Sequence, residues 1–560
     1  MKKWITVVLS TALCLTCTAC SGQTYVQKEK KNEYVENTST PTAYYMDGSA
    51  FTPVLRFVVS ADTHIGDYYT YAQAERRVEN LFIDAYAYSR TQEYDKLDAF
   101  VVVGDYVELG TQQEYMDFSE AWQKNIKPET TFLCLQAGHE LIQGSRDDHK
   151  IYTANDMGTH VKINGYHFIT ISNMRWLTDE NGNQLWHKDA EGNLLFAVDE
   201  KGEPLLDEQG NYIPDPNGAY IPDPNGVTIY SEAPDPECDL KWIEASLKEA
   251  KEDTGDMKPI FSFHHHPITD TIIGSDSTGP VWNPAPVFEP LFENYTNLVD
   301  FCGHIHIPTM HPRAIMQDKY TTMNPGASLY SSWASDLPDL VNSISQGEGT
   351  SVSSGANIVE VDENGRMRIL PYNVAMREFY NEIGTGKKDQ QLIRYIECAG
   401  NTSTWLYTKD RNDTADLPTW SASASVQSVK FEEYGVWADF DKNSSGDEYQ
   451  LRPRLELTFD VADDKDGIEC YKVQVKNKAT GQYVLFWHDK QKKDVDYTYV
   501  ASEYYITPQP TRITVETLGI SLESGYNLVN GEQYVLEITP IDAWHNVGTT
   551  PLSYPFTYTA

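Results

Sequence analysis

The sequence predicts an α/β layered domain over residues 51–378 followed by an all-β sandwich over residues 416–560. Three observations predict it. From Phe51 to about Asn373, strand-like apolar runs alternate with segments of helical spacing. From Asp416, apolar residues alternate with period two between turn residues. Five runs in the first region also stop abruptly at acids or histidines, so buried strands deliver charged groups at their carboxyl ends.

The chain opens with MKKWITVVLSTALCLTCTAC, a Lys pair, an apolar run and a small-residue approach to Cys20. That is the pattern of a secretory signal, too short to span a bilayer comfortably. Thr18-Ala19-Cys20 resembles the end of a bacterial lipobox, with Cys17 in place of the usual leucine. The expectation is a lipoprotein signal peptide over 1–20, lipidation of Cys20, and a polar tether over 21–50. The protein is then extracytoplasmic and held at the bacterial cell membrane. Its formal charge of −38 argues against nucleic acid as a partner but not against a small phosphorylated substrate. Cys134, Cys238, Cys302, Cys398 and Cys470 are odd in number and far apart, which predicts free thiols.

Taken in order, Val78, Leu81, Phe82 and Ala85 follow helical spacing after the first strand run, and Tyr115, Phe118 and Trp122 do so after the second. Leu240, Ile243, Leu247 and Ala250 mark a helix that leads into PIFSFHHHP. Between them, residues 178–231 are rich in NG, EG, KG and QG pairs and repeat YIPDPNG, which predicts a hairpin-rich insertion forming a lid or rim. Residues 357–370 form a hairpin about Glu363-Asn364-Gly365. A polar linker region covers 379–415. In the β region, DLPTW and YVLEITPIDAWHNVG resemble fibronectin type III modules of secreted bacterial enzymes. Such a module would be a spacer or would bind a cell-surface glycan or protein.

The strand ends read Asp62-x-His64, Gly104-Asp105, Gly138-His139-Glu140, His265-x-Pro267 and Gly303-His304-x-His306. This ordered set resembles the calcineurin-like metallophosphoesterases, whose pattern is DxH, GD, GNH followed by an acid, HxP and GHxH. The resemblance implies a four-layer α/β/β/α sandwich and a pair of divalent cations, manganese, zinc or iron. It implies that Asp62, His64, Asp105 and His306 hold the first metal. His265, His304 and a bridging Asp105 hold the second, and a metal-bridging hydroxide attacks a phosphomonoester or phosphodiester. His139 would act at the leaving oxygen as an acid, oriented by Glu140. Hard carboxylates and borderline imidazoles suit such cations, and two cations together grip phosphate.

The sequence departs from the pattern at Gln136-Ala137-Gly138-His139. Either Ala137-Gly138 substitutes for Gly-Asn, and the second metal loses an amide ligand, or the asparagine is deleted and His139 moves into the ligand's place. Strand alternation turns His264 and His266 away from His265, toward the metal surroundings or the surface. Tyr68, Tyr69, Tyr106 and the insertion form the expected rim. Asn324-Pro325-Gly326 resembles a loop that follows GHxH in the family, or is a plain turn. The alternative function is a non-catalytic surface lipoprotein that binds a glycan or protein through a degenerate site.

Overall fold

The structure, a computed structural model, describes residues 43–66, 71–172, 236–275, 285–331, 340–341, 353–384, 387, 389–437, 449–488, 493–502, 510–520 and 528–559. The expected signal peptide with Cys20, the tether up to residue 42, Tyr68, Tyr69 and the 178–231 insertion lie outside them.

Strand β1 (Pro53–Ser60) is followed by α1 (Tyr71–Arg90), β2 (Ala99–Val103), α2 (Gln112–Asn125) and β3 (Thr131–Leu135). These strands pair in parallel, and their near-continuous apolar runs are what burial on both faces demands. Helix α2 begins at a capping box in which Thr111 and Glu114 satisfy each other's backbone N–H groups. After the short helix α3 (Arg146–Thr153), a second sheet forms from β4 (Gly158–Ile163) and β5 (Tyr166–Ile171). It continues through α4 (Leu240–Thr254), β6 (Ile260–Phe263), α5 (Ala285–Phe292), β7 (Leu298–Phe301), β8 (Ile315–Gln317) and β9 (Thr321–Met323). Its strand order is β4-β5-β6-β7-β9-β8.

One core lies between the sheets. Phe57, Val59, Val101 and Leu133 of the first meet Phe168, Phe261, Phe263 and Phe301 of the second. Phe57 meets the Phe168 and Phe261 rings edge-on at 5.0 and 4.9 Å, pairs that contribute about 0.5–1.5 kcal/mol each beyond area burial. On the other face of the first sheet, the predicted stripes Val78, Leu81, Phe82, Ala85 and Tyr115, Phe118, Trp122 pack together. Ile243, Leu247 and Ala250 of α4 pack with Phe288 and Phe292 of α5 against the second.

After the two-residue strand β10 (Leu340–Val341), the hairpin β11 (Gly355–Asp362) and β12 (Met367–Asn373) returns to the first sheet, with β11 antiparallel beside β1. Part of the expected linker is built into that sheet, because β13 (Glu378–Phe379) and β14 (Arg394–Ile396) both pair with β12. Residues 43–51 also pack on the domain, with Tyr45 buried against Phe51 and Tyr395.

The C-terminal region is all-β, from β15 (Val426–Trp437), β16 (Tyr449–Asp460) and β17 (Ile468–Asn477) through β18 (Phe486–His488), β19 (Lys493–Val495), β20 (Thr498–Ala501) and β21 (Arg512–Gly519) to β22 (Gln533–Asp542) and β23 (Leu552–Thr557). Sheets β15-β16-β21 and β10-β20-β17-β22-β23 share a core of Leu457, Phe459, Tyr471, Val473, Val515 and Leu536. The turn after β22 reaches the first region: Trp544 packs on Ile305, Ile307 and Met316, with the Arg411 guanidinium 4.9 Å from its ring. Among the described residues, Cys134, Cys238, Cys302, Cys398 and Cys470 are buried and form no disulfide.

Candidate metal centre

Strands β1, β2, β3, β6 and β7 all release their predicted motif at the carboxyl end, and the first two sheets bring these ends together. The turn away from each strand is sharp. Asp62, His64, Asp105, His304 and His306 all have positive φ, between 43° and 69°. A non-glycine residue held there costs roughly 1–3 kcal/mol, so the fold maintains strain where these side chains converge. The glycines before them are required by close approach. A Cβ on Gly104 would lie 2.5 Å from Ala137 Cβ and 2.7 Å from His265 Nδ1, and one on Gly303 would lie 2.8 Å from Asp62 Oδ2.

Hydrogen bonds fix which nitrogen of each ring faces inward. His64 Nδ1 donates to Glu108 Oε2 (2.8 Å), His265 Nδ1 to the Val103 carbonyl (2.8 Å) and His306 Nδ1 to the Tyr330 carbonyl (3.2 Å). Each Nε2 therefore turns its lone pair to the centre. His64 Nε2 and His306 Nε2 are 3.1 Å apart, and Asp62 Oδ1 is 3.9 and 3.3 Å from them. Ligands about 2.1 Å from one ion are roughly 3.0–3.4 Å apart, so the 3.1 and 3.3 Å separations suit a shared cation and the 3.9 Å one is wider. His265 Nε2 is buried, 2.9 Å from Asp105 Oδ2 and 3.8 Å from Asp62 Oδ1. Imidazole nitrogens and carboxylate oxygens gathered this closely form a ligand set for a cation. The donor set fits divalent metal.

Among the described residues, four groups have ligand atoms within 4.8 Å of one another: Asp62, His64 and His306; Asp62, Asp105 and His265; His265, His266 and His304; and His64, Glu108 and His139. All six predicted metal ligands and His139 are thus gathered. Asp62 belongs to both of the first two groups, and Asp105, the bridge implied by the resemblance, to the second. Asp62 also accepts from the His304 backbone N–H through both oxygens, at 3.1 and 3.0 Å.

The electrostatics follow. Burial alone would lower the His265 imidazole, but the facing Asp105 carboxylate raises it to about 10. Burial works against ionised Asp105 and Asp62, yet their histidine neighbours hold both below the usual carboxylate range. Burial and the nearby His265 charge push His304 down to about 3. Positive charge is favoured where His265 meets the acids and disfavoured at His304, which leaves the latter's lone pair available.

The altered segment after β3 resolves as a substitution. Gly138 opens a short turn with right-handed φ and ψ, and His139 N–H donates to Asp105 Oδ1 at 3.1 Å. The His139 ring lies on the His64 side, its Nδ1 donating to the Glu108 carbonyl (2.7 Å) and its Nε2 3.9 Å from Asp105 Oδ2. It does not enter the place beside His265 and His304, and position 138 offers no side chain there. Glu140 does not orient His139. Its buried carboxylate instead accepts backbone N–H groups of Tyr106, Val107 and Ala137, tying the two loops together, and burial beside Asp105 pushes it up to about 8.

Residues 55–308 match the calcineurin-like phosphoesterase family model. The chain carries a calcineurin-like phosphoesterase domain. No curated protein matches the chain. With its clustered histidines and acids, the domain supports a metal-dependent phosphoesterase.

Several residues of the phosphoesterase domain differ from expectation. Tyr106 is not on a rim: the left-handed turn at Asp105 sends it into the core beneath α2, where its hydroxyl meets His149 Nδ1 at 2.8 Å. His264 and His266 are not surface groups. Strand β6 ends at Phe263, so alternation no longer governs the three histidines. His264 Nε2 donates to buried Asp300 (2.8 Å), while the His266 ring lies 3.9 Å from that of His304. Asn324 is more than a turn residue, since its amide donates to the Cys302 and Gly303 carbonyls and braces the GHIH loop. Two groups escaped the sequence reading. Glu108, three residues past Asp105, orients His64, and Tyr330 sits with its ring 4.6 Å from that of His306. Only the spacing from Asp105 pointed toward Glu108.

Proposed function

We propose that the chain is a dinuclear metal-dependent phosphoesterase that hydrolyses a small phosphomonoester or phosphodiester outside the cytoplasm, anchored through lipid on Cys20. The observation that carries it is the convergence of the buried imidazoles of His64, His265 and His306 with the carboxylates of Asp62 and Asp105, their ligand atoms within reach of shared cations. Asp62, His64 and His306 would hold one cation, and Asp105, His265 and His304 the other. Bound there, divalent cations supply Lewis acidity toward phosphate oxygens and a nucleophile at neutral pH.

The chain's own residues supply the rest. The His139 side chain is 35% exposed, so it can reach a bound substrate. Its Nδ1 is engaged by the Glu108 carbonyl, so Nε2 is the atom presented to the site. Burial would lower this imidazole, but Asp105 and Glu108 raise it above its ordinary value, favouring the protonated form that donates to a leaving oxygen. Glu108 holds His64, and Asn324 holds the loop that carries His304 and His306.

The four-layer arrangement of the phosphoesterase class is supported by helices packed outside two sheets that share a core. The C-terminal sheets, read as a fibronectin type III-like module, would bind a cell-surface glycan or protein. The strongly acidic composition supports a small substrate and no nucleic acid. Gly138, which brings no amide, favours the second reading, a binding lipoprotein with a degenerate site. Replacing Asp105 with Asn separates the two. Loss of chelator-sensitive turnover with the fold intact supports the enzyme, and turnover equal to the unaltered chain refutes this site.

A further inference from the structure

We propose that His266 is the protein ligand that takes over from the side chain missing at position 138, so that the second cation is held by the imidazoles of His265, His266 and His304 together with the Asp105 carboxylate. This rests on the dinuclear reading above.

The ligand atoms of these three histidines lie within 4.8 Å of one another. The His266 ring centroid is 3.9 Å from that of His304 and 4.9 Å from that of His265, and all three sit at the ends of neighbouring parallel strands β6 and β7. His266 reaches the site because β6 stops at Phe263: past the last paired residue, consecutive histidines need not alternate, and His265 and His266 both face inward. Pro267 follows directly and offers no N–H that would prolong the pairing.

The exchange conserves charge, since an amide and a neutral imidazole are both uncharged ligands. It does change softness. Beside the Asp105 carboxylate, three nitrogens in place of two nitrogens and an amide oxygen move the site toward zinc or iron and away from manganese. The ligand set for the other cation, Asp62, His64 and His306, is untouched.

The test is zinc content by equilibrium dialysis of the full chain lacking its signal peptide. The unaltered chain should retain two zinc ions, His266→Ala one, and the double variant His266→Ala with Gly138→Asn should regain the second. Right-handed φ and ψ at Gly138 accept a side chain. Two tightly held zinc ions in His266→Ala overturn the assignment. Fewer than two in the unaltered chain overturn the dinuclear reading itself. Cadmium-113 NMR of the unaltered chain with nitrogen-15 histidine needs no variant to fold. One cadmium signal coupled to three nitrogens supports the proposal, and coupling to two at both sites refutes it.

Discussion

Glu108 makes a sharp claim about how the site is built. Its carboxylate accepts from His64 Nδ1 at 2.8 Å and lies 3.5 Å from His139 Nδ1, so it fixes the ring that would ligate one cation. Partners of this kind typically change metal affinity 10–100-fold, which is about 1.4–2.8 kcal/mol. The Glu108 side chain is 29% exposed, and water screens part of its charge. Glu108→Gln keeps an oxygen for His64 but removes the charge, so the expected loss is near the lower end, about tenfold. Glu108→Ala removes both and should approach about 100-fold. Competition with a chromophoric chelator at neutral pH reads both values, and circular dichroism checks that the fold persists. The weaker of the two cations to be lost should be the one at His64. Affinity in Glu108→Ala equal to that of the unaltered chain would refute the reasoning.

Other perturbations follow from the same geometry. Gly104→Ala places a Cβ within 2.5 Å of Ala137 Cβ at a φ of 75°, and it should lower metal content and the melting temperature together, as elemental analysis and calorimetry would show. The metal-free protein should lose stability as pH rises. His265 lies above its ordinary value at about 10, so its contribution is fully present below about 6.5 and disappears through pH 10. Melting temperatures measured across that window should fall without metal and level out with saturating zinc. Trp544→Ala should cost about 1–3 kcal/mol, since the half-buried ring backs Ile305 and Ile307, the neighbours of His304 and His306. Denaturant melts measure that loss, and metal affinity should weaken with it.

Much of the site was legible because each ligand ends an apolar run. FVVSADTH, AFVVVGDY, PIFSFHHH and LVDFCGHIH each show a buried strand stopping at a donor, and order along the chain did the rest. The helical stripes were equally plain, since Val78, Leu81, Phe82 and Ala85 needed only one face of one helix. What failed was inference across a strand's last residue. The period of two turned His266 away from His265, toward the metal surroundings or the surface, and Tyr106 was expected on the rim, but both follow chain reversals where alternation no longer applies. Glu108 was hidden because a loop acid has no pattern of its own, and its role exists only through His64, which is distant in sequence. The choice between substitution and deletion at Gly138 needed the position of the His139 ring, a tertiary fact. The packing of Trp544 on the GHIH loop joins segments more than 200 residues apart, beyond any local periodicity.

The most direct test of the account is hydrolysis of generic phosphomono- and phosphodiesters by the full chain without its signal peptide, before and after chelation, with bound metal measured on the same samples. The account predicts turnover that vanishes on chelation, returns with zinc or manganese, and tracks metal content. A chain that binds metal fully yet never turns over either ester, or one that turns over equally well without metal, would contradict it.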